Sequence, residues 1–365
     1  MAGSMFTMRD FYADNKMTFL SFFLMPVLFP LSCLYRIILF IIKFLYRVHI
    51  LKIYRPKSSV VSVGNVTLGG SGKTPFVAYL ADYIGARRPV LVLLRGYKKP
   101  NARGFLGSDA FYKFGDEASM LMNSLGHHCQ VVADYDRLRQ VKLLEAAGFK
   151  GVIILDDGFQ HWKIERDFDI VVIDVTNPFG NKMVLPAGQL REGLGALERA
   201  DCICLSRCDE AAPEKLEALN CFLSKKAPSA VFIKTIHQNV ALRSLKTGDE
   251  IGLEHVKGKR VCLFCGIANP RSFVASVKRL GAQVAVSKFF PDHHEYDKNE
   301  AESLIKMCLD QRVSVLVTTD KDAQRLCGFF AHVEAGIDIF VLKIAIKIIE
   351  GQEVLYERIN SLRGI

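Results

Sequence analysis

Val60-Val61-Ser62-Val63, then Gly64-Asn65-Val66-Thr67-Leu68-Gly69-Gly70-Ser71-Gly72-Lys73-Thr74, then Pro75 to Ile84 read as a buried strand, a glycine-rich loop and an amphipathic helix. That order builds a P-loop. Gly69, Gly70 and Gly72 let successive backbone N–H groups turn inward around phosphate oxygens, and the helix N-terminus behind them adds positive potential. Lys73 suits the β and γ oxygens and Thr74 suits Mg²⁺, with Thr67 and Ser71 completing the cradle. The strict G-x-x-x-x-G-K-[ST] pattern wants glycine where this chain has Thr67, so the GSGKT core and its flanking strand and helix carry the reading.

Working outward, Pro89 to Leu94 is a second strand, ending in the basic loop Arg95-Gly96-Tyr97-Lys98-Lys99. Ligands of open α/β sheets bind at that strand edge, although a solvated loop is the plain alternative. Gly151 to Leu155 is an apolar strand that closes in Asp156-Asp157-Gly158-Phe159-Gln160-His161. A strand ending in aspartate supplies the second half of a P-loop site, where Asp156 or Asp157 holds Mg²⁺ directly or through water. Further strands run from Phe168 to Val175 and from Asp201 to Leu205, the latter entering Ser206-Arg207-Cys208-Asp209, a poor match to the guanine-reading [NT]KxD. The fold class is α/β, a P-loop NTPase domain with a mostly parallel sheet.

Composition shifts near Ala227 to Asn239, and a second alternation of strands and helices follows: Lys259 to Ile267, Asn269 to Leu280, Gln283 to Ser287, Lys298 to Gln311 and Ser314 to Thr318. Three segments are expected: an N-terminal membrane-associated helical segment, 1–56, the P-loop domain, 57–238, and a smaller C-terminal α/β domain, 239–365, closing over the cleft. Lys321 and Asp322 fall in a cleft-facing loop or in a helix cap.

From Met17 to Tyr54 the chain is largely Phe, Leu, Ile and Val, broken by Pro26, Pro30, Arg36, Lys43 and Arg47. At 100° per residue the three cations fall within roughly 40° of arc, a narrow basic stripe suited to lipid phosphates at a bilayer interface. An in-plane helix or helical hairpin is expected. A true span remains open, and a cleaved signal fits worst because no small-residue cleavage site follows. The net charge of +10 suits an anionic partner without choosing one. The ten cysteines form no extracellular framework, and Cys262-x-x-Cys265 sits in the apolar run VCLFCGI without a second pair, so it reads as reduced core. The initial MAGSM reads as an expression scar or an alternative start.

Nine blocks stand in one order: SVGNVTLGGSGKTPF (Ser62 to Phe76), RGYKK (Arg95 to Lys99), FGDEAS (Phe114 to Ser119), DYDR (Asp134 to Arg137), LDDGFQHWKIERDFDI (Leu155 to Ile170), LPAGQLREGL (Leu185 to Leu194), FCGIANPRSF (Phe264 to Phe273), FPDHHEYD (Phe290 to Asp297) and TTDKDAQRL (Thr318 to Leu326). Together they resemble the tetraacyldisaccharide 4'-kinases, the lipid A 4'-kinase family, from about Val60 to Leu326. The family is similar in having GGSGKT without the early glycine. The resemblance implies ATP-dependent phosphorylation of the 4'-hydroxyl of tetraacyldisaccharide 1-phosphate, with Mg²⁺, to form lipid IVA. It further implies work on a membrane surface, at the cytoplasmic face of the bacterial inner membrane, and no nucleic-acid partner. It points to Asp116 as base working with His293, to Lys73 in catalysis, and to Arg95, Arg137, Gln160 and His161 as substrate contacts.

Without the resemblance, Gly115-Asp116-Glu117 reads as an acidic helix N-terminus, and Asp292-His293-His294 as a metal pair or a surface loop. Ala118, Leu138 and Trp162 depart from the family pattern, and Trp162 bears on contacts with the lipid head. Three other readings compete. One is a P-loop GTPase of the metal-chaperone type. A second is a partitioning-type ATPase, whose additional lysine is replaced by Leu68. A third is a tethered scaffold with a vestigial loop, against which Lys73, Thr74, Asp156 and Asp157 all speak.

Overall fold

The computed structural model describes residues 19–96, 121, 125, 129–267, 269–292, 294–330 and 336–362. The described chain forms two units. One takes the residues before 109, those from 124 to 236 and those from 346 onward, and the other takes 237–345 together with Leu121.

Helix α1, Phe19–Arg47, opens the first unit as one continuous helix with Pro26 and Pro30 inside it, rather than as a hairpin. Its stretch Leu24–Arg47 is long and apolar enough to cross a membrane. The sheet follows, with β1 Ser59–Gly64, β2 Val90–Arg95, β3 Cys129–Asp134, β4 Val152–Asp156, β5 Phe168–Asp174, β6 Cys202–Ser206 and the start of β7, Val231–Ser244. Their spatial order is β3-β2-β4-β1-β5-β6-β7, and every pairing is parallel. Parallel neighbours need crossovers that cover both faces, which is why β1 and β4 are buried along their whole length. The crossover helices include α2 Lys73–Gly85, α3 Arg137–Ala146 and α4 Pro213–Lys226. Asp136 caps α3 by accepting from the Arg139 N–H at 3.1 Å, and Pro213 opens α4 where its missing N–H is no loss.

Val60, Leu91, Leu93, Ile153 and Leu155 fill one core cluster of this unit, and Val66, Phe159, Val171, Ile173 and Leu205 fill another. Each such side chain contributes about 1.5–3 kcal/mol by leaving water. β1 lies between β4 and β5, and its register sets Val63 opposite Asp156. The loop after β1 and the carboxylates after β4 therefore emerge side by side, at the point where strand order changes direction.

The second unit holds the outer part of β7, which pairs antiparallel with β8, Glu250–Ile251, and then β9 Arg260–Cys265, β10 Gln283–Phe289, β11 Val315–Thr319 and the start of β12, Asp338–Glu350, in the order β10-β9-β11-β12. Helices α5 Pro270–Arg279, α6 Lys298–Asp310 and α7 Asp320–Phe330 connect these strands. Asn269 caps α5, and Asp297 with Glu300 forms a capping box on α6. Lys321 and Asp322 thus lie in the first turn of a helix and not in a loop. Cys262 and Cys265 are fully buried on β9 as free thiols, and burial pushes the Cys265 thiol up to about 12.

β12 re-enters the first unit at Ile346 and is followed there by α8, Gln352–Asn360. Tyr356 of α8 stacks on Tyr83 of α2 with ring centroids 3.7 Å apart, and Lys234 pairs with Glu350 at 2.6 Å. Nothing in the sequence patterning announced this return.

Candidate active site

The P-loop emerges from β1 at Gly64, where a Cβ would lie 2.5 Å from the Cβ of Phe159 and 2.7 Å from its amide nitrogen. Only glycine admits the 158–160 turn so close. Gly72 caps α2 with φ of 86°, a left-handed state that glycine enters without strain, and the helix axis then points its free N–H groups at the loop. Thr67 instead pairs with Leu190 in an antiparallel bridge. Extended backbone there suits any residue, which explains why an early glycine is dispensable. The Asn65 amide donates to Ser71 Oγ at 3.1 Å and ties the two ends of the loop together.

Lys73 Nζ stands 3.6 Å from Asp157 Oδ1, and Thr74 Oγ1 donates to Asp156 Oδ2 at 3.4 Å. Thr74 and Asp156 offer hard oxygen donors side by side at the base of a phosphate loop, a set that fits Mg²⁺, which takes one or two protein oxygens and completes its shell with phosphate and water. Among the described residues no three His, Cys, Asp or Glu side chains gather to hold a metal by themselves. Asp157 has φ of 55°, and its carboxyl is held low, at about 2. Burial pushes it upward, and the positive charges of Lys73, Arg191 and Arg137 outweigh that.

Arg137, expected at the substrate, is buried at 5% exposure and donates to the Asp156 carbonyl at 2.7 Å and the Asp157 carbonyl at 3.4 Å, so it braces the turn that presents both acids. Gln160 donates from Nε2 to the Asn65 carbonyl at 3.0 Å. Its Oε1 and the Nε2 of His161 are buried with no protein partner. Burial and the cations Arg137, Arg166, Lys163 and Arg95 pull the His161 imidazole down to about 3, so it is neutral near pH 7. Arg95 ends β2 exposed, at the same edge of the sheet. Asp116 and His293, with Tyr97, Lys98 and Lys99, lie outside the described residues.

Two functional side chains were not picked out from the sequence. Arg191 places Nη1 2.8 and 2.7 Å from the two oxygens of Asp157. Arg207 pairs with Asp174 and donates to the Gly70 carbonyl at 3.3 Å. The Ser206-Arg207-Cys208-Asp209 tetrapeptide thus spends its cation on bracing the P-loop, the opposite of a residue left open to read guanine. The signal for Arg191 was present only as the block LPAGQLREGL, where charge interrupts buried neighbours.

Lys43 also differs from expectation. It is not exposed as Arg36 and Arg47 are, but turns toward the protein, 2.5 Å from the fully buried Glu192 and 5.6 Å from the centroid of Trp162, which Tyr46 meets edge-on. Arg199 completes the pairing of Glu192 at 3.0 and 3.2 Å. Burial raises the Glu192 carboxyl, and Arg199 and Lys43 more than reverse this, leaving it below the usual range.

Residues 24–362 match the family model described as tetraacyldisaccharide-1-P 4'-kinase. Among similar proteins, a tetraacyldisaccharide 4'-kinase of Halothermothrix orenii is 32% identical over 88% of this chain and 89% of its own. One of Chlorobium limicola is 32% identical over 93% and 98%. The crystal structure of "apo" form LpxK from Aquifex aeolicus in complex with ATP superposes with a TM-score of 0.71 at 30% identity, covering 93% of this chain and 98% of that one.

Proposed function

The chain belongs to the tetraacyldisaccharide-1-P 4'-kinase family, and on that premise we propose how its residues carry out the reaction. The activity is transfer of the ATP γ-phosphoryl group to the 4' position of the tetraacylated disaccharide in lipid A biosynthesis. The observation that carries the assignment of roles is the meeting of Lys73 and Thr74 with Asp157 and Asp156 across the ends of β1 and β4.

The loop from Thr67 to Thr74 holds the nucleotide phosphates, with Lys73 released from Asp157 to the γ-phosphate as charge grows on the phosphoryl oxygens. Thr74 and Asp156 would hold Mg²⁺, which when bound would supply positive charge to the phosphate oxygens. Asp157, kept ionised by Arg191, steadies Lys73 before nucleotide arrives. Arg137 keeps both acids aimed by gripping their backbone. Gln160 and His161 contact the sugar head group, and their unpartnered buried acceptor atoms support that role, since a hydroxyl can donate to each. Arg95 meets the acidic end of the substrate.

The hydroxyl proton goes to Asp116 with His293 as its partner, the roles that the motif match to the family suggests. A carboxylate orients the imidazole, and the pair accepts a proton that a sugar hydroxyl gives up poorly.

Helix α1 rests on the cytoplasmic face of the inner membrane. Val27, Ile37, Phe40 and Phe44 are each more than half exposed on it, and lipid would cover that apolar area. Transfer of labelled phosphate from ATP to purified disaccharide 1-phosphate tests the whole reading. Folded protein that yields no phosphorylated lipid, or that uses GTP in preference, overturns it.

A further inference from the structure

Helix α1 presents two different sides. At 100° per residue Ser32, Tyr35 and Lys43 fall within roughly 80° of arc, and the exposed Leu34, Ile37, Ile41 and Phe44 occupy the opposite side. A helix that served only as a lipid anchor would need no polar grip on the protein. This one has several, and among the described residues its side-chain hydrogen bonds and ion pair to the rest of the protein fall on one segment, residues 184–192.

Ser32, 4% exposed, donates from Oγ to the Val184 carbonyl at 2.9 Å and accepts from the Ala187 N–H at 2.8 Å. The Tyr35 hydroxyl donates to the Arg191 carbonyl at 3.0 Å. Lys43 closes the set on Glu192 at 2.5 Å. Glu192 is fully buried, so its charge depends on keeping its cations.

The far side of the same segment is joined to the P-loop. The Leu68 N–H donates to the Gln189 carbonyl at 2.7 Å, the Arg191 N–H donates to the Val66 carbonyl at 2.8 Å, and the Arg191 side chain holds Asp157, the acid that faces Lys73. From α1 to the P-loop lysine there is therefore an unbroken series of short polar contacts within one unit.

We propose that α1 is a positioning element of the nucleotide site, acting through residues 184–192, so that seating of the helix sets how well the P-loop is formed. Tyr35 and Lys43 are positioning residues in this scheme: they touch neither nucleotide nor reacting atoms. The scheme rests on nucleotide binding at the P-loop, and the test separates the two.

The full-length protein is compared with Tyr35→Phe, Lys43→Met and Lys43→Arg on one side of the helix and with Ile37→Ser and Phe44→Ser on the other. Three quantities are read: binding of a fluorescent ATP analogue without lipid substrate, co-sedimentation with phosphatidylglycerol vesicles, and melting temperature. Tyr35→Phe and Lys43→Met should weaken analogue binding by about fivefold, the worth of one lost hydrogen bond or more, while vesicle binding is kept. Lys43→Arg should restore the affinity. Ile37→Ser and Phe44→Ser should lose vesicle binding and keep the analogue.

Folded Tyr35→Phe and Lys43→Met that bind the analogue like the parent overturn the proposal and leave α1 a tether. If Lys43→Met does not fold, Tyr35→Phe decides alone, since it removes one hydroxyl. A parent chain that binds no analogue overturns the nucleotide reading itself.

Discussion

Arg191 sets one guanidinium nitrogen against both carboxylate oxygens of Asp157, at 2.8 and 2.7 Å, while Lys73 stands 3.6 Å from the same carboxylate. Two cations, one opening α2 and one from the segment after β5, thus converge on one acid held at a φ of 55°. Burial pushes this carboxyl up, and Lys73, Arg191 and Arg137 together hold it low.

Arg191→Gln should therefore make the protein less stable at neutral pH and less sensitive to acid. The Asp157 carboxyl is held down to about 2, so its contribution is present above the ordinary value near 3.8 and is lost as pH falls from there toward 2. A depression of that size is worth about 2 kcal/mol at neutral pH. Without Arg191 the carboxyl rises, and part of that stability goes. Denaturant midpoints at pH 7 and pH 3 should show a smaller drop between the two for Arg191→Gln than for the parent, from a lower starting point. Equal drops would detach the carboxyl from Arg191.

Lys73→Ala should reduce turnover by roughly a thousandfold or more, because the lysine balances charge on the moving phosphoryl group. The fold should persist, since Asp157 retains Arg191 as its partner. Circular dichroism and turnover measured on the same sample check both halves. Near-normal turnover would make the P-loop ornamental.

Asp116→Ala and His293→Ala should each lower kcat by about 10²- to 10⁴-fold with little change in ATP affinity. If the two share one proton path, the double variant should be hardly slower than the slower single variant. Losses that multiply would give them separate tasks, with His293 holding substrate or phosphate. Poor Mg²⁺ binding by Asp116→Ala at normal rates would move that acid to the metal beside Asp156.

In the second unit Asp322, fully buried, accepts from Thr319 Oγ1 at 2.6 Å and from the Tyr296 hydroxyl at 2.9 Å. Asp322→Ala strands both donors and should cost about 2–4 kcal/mol by chemical denaturation. Tyr296→Phe, which removes one donor and keeps the ring, should cost about 1 kcal/mol. A cost for Asp322→Ala below that of Tyr296→Phe would contradict this network.

Arg36→Gln and Arg47→Gln should each weaken binding to anionic vesicles by about 1 kcal/mol and reduce its salt dependence, because both cations are exposed on α1. Lys43→Gln should have a smaller effect, since Lys43 is directed at Glu192. Three equal losses would return Lys43 to the lipid side.

The parallel sheet was readable because β1, β4, β5 and β6 are largely apolar runs ending in Gly64, Asp156, Asp174 and Ser206, and because GSGKT lies after the first of them. Those are local signals. Arg191 and Asp157 are 34 residues apart, and Lys43 and Glu192 farther still, so no periodicity joins them. The stripe of Arg36, Lys43 and Arg47 reads as facing lipid for the same reason: a helical wheel fixes which residues share a side, but the turn of Lys43 to Glu192 comes from the tertiary fold. The early glycine missing at Thr67 had a cause that only the bridge to Leu190 reveals.

The stack of Tyr356 on Tyr83 bears on the order in which a ribosome delivers this chain. Residues 237–345 emerge in full, and can collapse as a unit, while the nucleotide unit still lacks the strand end and helix that return at 346. Its α2, the helix that directly follows the phosphate loop, waits through more than two hundred further residues for the ring that covers Tyr83. Vectorial synthesis thus completes the second unit before the first, and a nascent chain stalled between the two would carry a finished substructure beside an open kinase core.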